Sequence, residues 1–489
     1  MIKRIALALA GLVGLLVLAV AINTLRQGSR QIDVPPAPPL ALDEKAVADK
    51  LAGAIRFQTI ASYDNPSLNA DQFLQLHEYL KQRFPRVHAS LQREVVAGMT
   101  LLYTWKGSDA NAKPVALMAH HDVVPVAPGT ERSWEEEPFS GTVKEGFVWG
   151  RGAWDDKGNL IAQLEAVEML LASGFQPRQT IYLVSGADEE VSGAGAAAVV
   201  KLLQERKVRL DFVLDEGMLI ADGLVPGLDK PAALIGIAEK GYLSVVLRVS
   251  GTPGHSSMPP PKGSTAVGML AAALRRIDDE QLPAQLRGIA REMFETLAPE
   301  MSGLQRVALS NLWLFGPLVQ AQLEKGASTN AMLRTTTALT IVNAGNKENV
   351  IPGVAEATVN FRLLPGDTRD GVLQHVRSKT GERFELISLG GAEPSPVSPT
   401  SSDSYRQLSR TVRSLFPGAV VAPGLLVGGT DSRHFTPISD HIYRFSPVRA
   451  KPEDLTRFHG TNERIAVANL GELVRFYHQL LRNLNAPAP

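Results

Sequence analysis

Four groups of acidic and histidine side chains dominate the chemistry this chain can do: His120-His121-Asp122, Asp155-Asp156, Asp188-Glu189-Glu190 and Asp215-Glu216. Carboxylates gathered this densely repel one another and resist ionisation, so a bound cation is the simplest reason to collect them. Imidazole and carboxylate donors without thiolates suit zinc in a catalytic site, and one bridging carboxylate would let two ions sit about 3.5–4 Å apart. The chain has no cysteine, which excludes thiolate metal sites, cysteine nucleophiles and disulfide scaffolds. Each group alone has a plain structural explanation. Asp155-Asp156 is a favourable helix start, and an Asp-Glu-Glu run is usually a solvated loop. Their joint placement is harder to explain that way.

Three of the groups directly follow apolar runs of strand character, Pro114–Ala119, Thr180–Ser185 and Phe212–Leu214, with helical patterns at Leu160–Ser173 and Ala194–Arg206 between them. Continuously apolar strands alternating with helices predict an α/β fold with a mostly parallel sheet covered on both faces. In such sheets ligands bind beyond the carboxyl ends of the strands, where all the groups would converge. The pattern changes after Lys240-Gly241. Strands at Tyr242–Ser250, Thr335–Val342, Ala355–Leu364 and Phe384–Leu389, with helices at Ser264–Arg276 and Thr368–Thr380, give the βαββαβ order of a ferredoxin-like α+β unit. Asp278–Glu324 interrupts it as a largely helical insertion. The expected organisation is therefore a catalytic domain built from 43–240 and 394–489, with 241–393 inserted as a lid or dimerisation domain.

Lys3 and Arg4 precede an uncharged apolar run from Ile5 to Ile22. At about 1.5 Å per residue this run just spans a hydrocarbon core. Residues 1–30 are expected to be an uncleaved signal anchor, with a signal peptide cleaved near Ala19-Val20-Ala21 as the alternative. Either places the remaining chain outside the cytoplasm, membrane-anchored in the first case and secreted in the second. The Pro-rich stretch 31–42 reads as a stiff spacer. Lys plus Arg and Asp plus Glu are both 50, so there is no basic footprint for nucleic acid.

At these residues the chain resembles the M20 family of metallopeptidases, the aminoacylase-1/carboxypeptidase S group. The resemblance rests on Ala119-His120-His121-Asp122-Val123-Val124-Pro125, Gly150-Arg151-Gly152-Ala153-Trp154-Asp155-Asp156-Lys157-Gly158 and Gly186-Ala187-Asp188-Glu189-Glu190. It extends to Leu214-Asp215-Glu216-Gly217, Gly251-Thr252-Pro253-Gly254-His255, Asn349-Val350-Ile351-Pro352-Gly353 and Phe458-His459-Gly460-Thr461-Asn462-Glu463. The chain is most similar to the branch holding carboxypeptidase S and the secreted N-acyl-amino-acid hydrolases.

The resemblance implies two zinc ions, with Co2+ or Mn2+ as substitutes. It implies His120, Asp155 as the bridge, Glu190, Glu216 and His459 as metal ligands, with Asp215 as the alternative to Glu216. Asp122 would orient His120, and Glu189 would be the general base. His255 would reach the site of a partner chain in a homodimer formed by the inserted domain. A monomer whose insertion covers that domain's edge is the alternative. Asn349, Arg362 and the loop Gly428–Arg433, in particular Gly429, Thr430 and Arg433, resemble binders of a substrate carboxylate.

His121 competes with His120 for the ligand role. Adjacent side chains at a strand end point to opposite sides, so His121 is expected to face the pocket or its wall. The implied reaction is hydrolysis of the amide next to a free C-terminal carboxylate in small peptides, with N-acyl-amino-acid hydrolysis as the alternative. A membrane-tethered binding protein of the same fold is a remote third reading. It predicts the loss of a ligand or base position, and none is missing.

Overall fold

A computed structural model describes residues 1–485. Strands Val115–His120, Ile181–Gly186, Val213–Asp215 and Ile442–Arg444 are buried along their whole length. They pair in parallel, in the order 181–186, 115–120, 213–215, 442–444. They form the centre of a ten-stranded sheet whose flanks include antiparallel pairs, such as Gln92–Val96 with Thr100–Trp105.

Alternate residues of a strand face opposite sides, and each side here has its own core. Val115, Leu117 and Ala119 pack with helices Lys157–Ala172 and Val467–Asn483, whereas Ala116 and Met118 pack with Ala196, Val199 and Leu203 of helix Ala194–Glu205. Burial on both faces is why these strands read as unbroken apolar runs.

The second unit is a four-stranded antiparallel sheet in the order Thr336–Asn343, Val354–Leu363, Gly241–Ser250, Glu385–Ala392. Numbered along the chain this is 2-3-1-4, the ferredoxin-like order anticipated from the βαββαβ pattern. One face is buried: Leu243, Val245, Leu247 and Val249 pack against Leu270 and Ile277 of helix Ala266–Asp279 and Val372 and Val376 of helix Arg369–Thr380. The edge strand Thr336–Asn343 leaves Leu339, Ile341 and Val342 exposed.

The insertion folds as helices Gly288–Leu297, Gly303–Ser310, Leu312–Leu323 and Ala327–Leu333. It packs on the edge of the main sheet, where Met293, Phe294 and Leu297 meet Ala232, Val420 and Ala422.

The Pro-rich stretch, read as a stiff spacer, is bonded to the catalytic part. The Ala37 N–H donates to the Ser414 carbonyl at 2.8 Å. The Gln31 side-chain amide pairs with both backbone groups of Val421, at 2.9 and 2.7 Å. An extended segment carries unsatisfied backbone groups, and here the neighbouring strand and helix satisfy them.

Candidate active site

Because the central strands run parallel, their carboxyl ends lie at one edge of the sheet. His120 ends one strand, Gly186 ends the next and Asp215 the third. Asp155 comes from the loop before helix Lys157–Ala172 and is joined to Asp156 by a cis peptide bond. His459 comes from a loop near the end of the chain.

Asp155 lies between two imidazoles. Its Oδ1 is 2.9 Å from His120 Nε2, and its Oδ2 is 2.8 Å from His459 Nε2. Glu190 Oε1 is 3.4 Å from the same His459 nitrogen. Ligand atoms of His120, Asp155 and Glu190 lie within 4.8 Å of one another. Glu189 and Glu216 line the same cleft.

Burial pushes the Asp155 carboxyl up, but the hydrogen bonds from His120 and His459 outweigh it and hold the group below the usual carboxylate range. In return, the bonds to Asp155 and Glu190 lift His459 to about 10. Burial, and then the charges of Asp155, Asp156, Asp215 and Glu189, push Glu216 well above the ordinary value. Glu190 Oε1 is buried, and its one polar neighbour is His459 at the long distance of 3.4 Å. Imidazoles drawn towards positive charge, crowded carboxylates and a buried oxygen this weakly satisfied suit a cation bound among these donors. The residues fit a metal.

Asp215 and Glu216 differ in what they can offer. Asp215 Oδ2 accepts the Ser432 N–H at 2.8 Å and Oδ1 the Glu216 N–H at 3.0 Å, so both oxygens are tied down. Glu216 is left facing the cleft. Asp122 Oδ1 lies 3.4 Å from His120 Nδ1. The Asp122 carboxylate also accepts the N–H groups of Glu189 and Glu190, at 3.2 and 3.1 Å. His120 Nδ1 is also 3.0 Å from the Asp122 backbone carbonyl, so Asp122 faces the imidazole through its backbone and its carboxylate while that carboxylate holds the paired-glutamate turn.

His121 does not face the pocket. It is fully buried on the opposite side, 3.2 Å from His77 Nε2 and 2.8 Å from Ser185 Oγ, with Phe73 at its edge. The far side of this strand end is interior, covered by helix Ala70–Arg83, and burial holds both imidazoles neutral, His77 down to about 4.

His255 and Asn349 lie outside the cleft. They sit at a short exposed ladder between Gly254–His255 and Val350–Ile351, where His255 Nδ1 is 2.8 Å from Ser257 Oγ and the Asn349 carbonyl accepts the Ser256 N–H at 3.1 Å. Arg362 lines the cleft with its guanidinium over the Tyr242 ring at 5.1 Å. Gly429, Thr430 and Arg433 line it too. Thr430 donates its N–H and hydroxyl to Glu239 Oε2, both at 3.1 Å, and Arg433 donates to the Ser192 carbonyl at 3.3 Å.

The sequence reading missed a clasp beneath the metal ligands. Glu463 Oε2 accepts from Arg151 at 2.6 Å, and its Oε1 accepts the N–H groups of Gly152, Trp154 and Asp155 at 3.0, 2.9 and 3.1 Å. Arg151 also donates to the carbonyls of His459 and Gly460, at 3.2 and 3.1 Å. Gly152 takes a φ of +88°, a conformation glycine adopts without strain, and this turns its amide towards Glu463. His459 itself has a φ of +55°, a position that persists only when its surroundings hold it. The available signal was a charged residue inside each of two motif stretches, at Gly-Arg-Gly and at the end of Phe-His-Gly-Thr-Asn-Glu.

A parallel-centred sheet with a histidine–carboxylate cluster at its carboxyl edge and an inserted α+β unit is the architecture of a metallohydrolase. The chain belongs to the M20 family of metallopeptidases: residues 116–483 match peptidase family M20/M25/M40. It is 45% identical over 456 residues to the N-fatty-acyl-amino acid synthase/hydrolase PM20D1 of Xenopus tropicalis, covering 91% of this chain and 88% of that protein. It is 31% identical over 494 residues to carboxypeptidase S of Saccharomyces cerevisiae, covering 89% and 84%. Among solved structures, the M20 family metallo-carboxypeptidase Sso-CP2 from Sulfolobus solfataricus shares the fold, with a TM-score of 0.65 at 18% identity over 91% of this chain and 100% of that one.

Proposed function

We propose that the protein is a di-zinc amide hydrolase acting on N-acyl amino acids with a long aliphatic acyl group. The observation that carries this reading is the cleft. It has a volume of about 1070 Å³, and besides the charged cluster it is walled by Met218, Leu219, Met332, Leu426 and Val427. That is the upper end of the size range of small-molecule sites, and a dipeptide would leave most of the apolar wall in water. The similarity to PM20D1 supports the same reading. The similarity to carboxypeptidase S supports small peptides as the second reading.

In this reading His120, Asp155 and Glu216 hold one zinc, and Asp155, Glu190 and His459 hold the other, with Co2+ or Mn2+ tolerated by the same donors. Zinc bound there lowers the pKa of a water and polarises the amide carbonyl. Glu189 takes the proton of the attacking water and returns it to the leaving nitrogen. Arg362 and Arg433, with the Gly429 backbone, address the free carboxylate from the cleft wall, and its charge suits a bidentate guanidinium. Thr430 holds that loop through Glu239, and Asn349, outside the cleft, joins the site only with His255 of a partner chain. Helix Ile2–Arg26 anchors the enzyme to a membrane with the catalytic part outside the cytoplasm.

A hydrolysis panel tests the substrate class. With zinc-loaded full-length protein, kcat/KM is expected to rise from N-acetyl to N-oleoyl amino acids by up to about fourfold per methylene, from about 0.8 kcal/mol for each one buried. Faster turnover of Gly-X dipeptides than of any N-acyl amino acid would give the site to peptides.

His255 completes the site in this proposal only across a homodimer, with the exposed edge Thr336–Asn343 as the pairing surface. A strand edge offers unpaired backbone groups, and a two-fold axis presents the same edge twice. Mixing His255→Ala and Glu189→Gln chains is expected to recover part of the activity in mixed dimers. No recovery in proven mixed dimers rules out the role in trans.

A further inference from the structure

Helix Leu312–Leu323 contains no charged residue, and none of its side chains is fully buried. Trp313 is 60% exposed and Leu318 70%, while Leu304 on the adjacent helix Gly303–Ser310 is 82% exposed. Large apolar side chains clustered on one inserted element mark an interaction surface.

The N-terminal helix identifies what covers it. That helix is solvent-facing along its apolar run, and only its last turns touch the rest of the protein. There the Asn23 amide donates to the Ser310 carbonyl at 2.6 Å, and the Gln27 amide donates to the same carbonyl at 2.9 Å. The Asn311 amide reaches Thr24 Oγ1 at 2.8 Å and the Val20 carbonyl at 3.4 Å. The helix is thus fastened to the insertion at one level along its axis.

That level has a physical meaning. The run Ile5–Ile22 is about 27 Å long at 1.5 Å per residue, close to the thickness of a hydrocarbon core. Val20–Thr24 then lies where acyl chains give way to headgroups, and Asn311 is bonded to it. Trp313 follows two residues later, at the depth where tryptophan is enriched in membrane proteins. Leu318 lies further along the same uncharged helix and is also exposed.

We propose that helix Leu312–Leu323 rests in the headgroup layer of a lipid bilayer beside the N-terminal helix, giving the enzyme a second membrane contact. The proposal depends on helix Ile2–Arg26 being an anchor. It also gives the insertion a role in substrate supply. Leu312, Val319 and Leu323 pack on the same apolar cluster as Leu219 and Met332, and those two residues wall the cleft. The helix and the apolar wall of the cleft are thus tied to one packed cluster.

The test uses the full-length protein in phosphatidylcholine vesicles that carry a shallow nitroxide label on the lipid. Flotation of the vesicles reports the anchor, and tryptophan quenching reports the insertion. The expected result is co-flotation with quenching that disappears in Trp313→Phe, since Trp105 and Trp149 are buried in the catalytic part and Trp134 and Trp154 are half-buried there. Co-flotation without Trp313-dependent quenching overturns the proposal and leaves the anchor standing. Failure to float overturns both.

Leu318→Glu supplies a second readout. It is expected to lower turnover of vesicle-embedded N-oleoyl substrate and leave soluble N-acetyl substrate unchanged. An equal fall on both overturns the role in supply. Loss of a dimer in Leu318→Glu, with Trp313 unquenched, would assign the surface to a second copy of the chain and overturn the bilayer contact.

Discussion

Glu189→Gln is expected to retain its zinc and lose turnover by about 10²–10⁴-fold, the usual contribution of a positioned general base. The amide side chain keeps the shape and cannot take a proton. Its backbone position survives, because the N–H groups of Glu189 and Glu190 are both held by Asp122. Glu190→Gln should behave differently. Glu190 contributes an oxygen to the cluster with His120 and Asp155, so its loss is expected to lower metal content first and activity in proportion. Metal analysis and kcat on the same samples separate the two. If Glu189→Gln strips metal and its residual activity tracks the remaining zinc, Glu189 is a ligand and the assignment fails.

The second large effect is expected one layer beneath the cleft. Arg151 and Glu463 are both buried, at 2% and 0% exposure. Glu463→Gln leaves the guanidinium without its counter-charge in the interior, at a cost of about 3–5 kcal/mol. Against a usual total stability of about 5–15 kcal/mol this is severe. The same substitution loosens the loop carrying Asp155 and, through Arg151, the loop carrying His459, so zinc affinity falls as well. Urea unfolding and zinc titration of the purified variant check both. The paired change Arg151→Met with Glu463→Leu removes the buried charges together and is expected to restore part of the stability without restoring zinc affinity. A single variant within 1 kcal/mol of the parent, binding zinc normally, would show that the clasp positions nothing.

Much of the architecture was legible because burial on both faces of a sheet leaves an unmistakable trace. Val115–Ala119 and Ile181–Val184 are hydrophobic at every position, and the polar residues that follow them had to lie at one edge. The half-buried strand Gly241–Ser250 was legible for the opposite reason, its alternation. Periodicity reports a face and not the partner on it, which is where the reading ran short. It placed His121 on the correct opposite side from His120 but not against His77, a residue on a different helix. It saw Arg151 and Glu463 inside motif stretches but not their pairing, which joins positions 312 apart in the chain. The second duty of Asp122, holding two amides of a distant turn, leaves no mark in composition or spacing. Pro content reports the stiffness of the 31–42 segment but not where it docks, which side-chain amides such as Gln31 decide.

The strand Ile442–Arg444 enters the sheet between Val213–Asp215 and Ala232–Glu239, and the loop with His459 and Glu463 follows it. Until that late segment emerges from synthesis or passes a translocation pore, the sheet has a vacant slot at its middle and the loop bearing Asp155 has no clasp. Pairings across such sequence separations form slowly. The incomplete chain therefore exposes strand edges during its transit and has no assembled hydrolytic centre. The carboxyl edge of the sheet is thus complete only when this last structural piece seats.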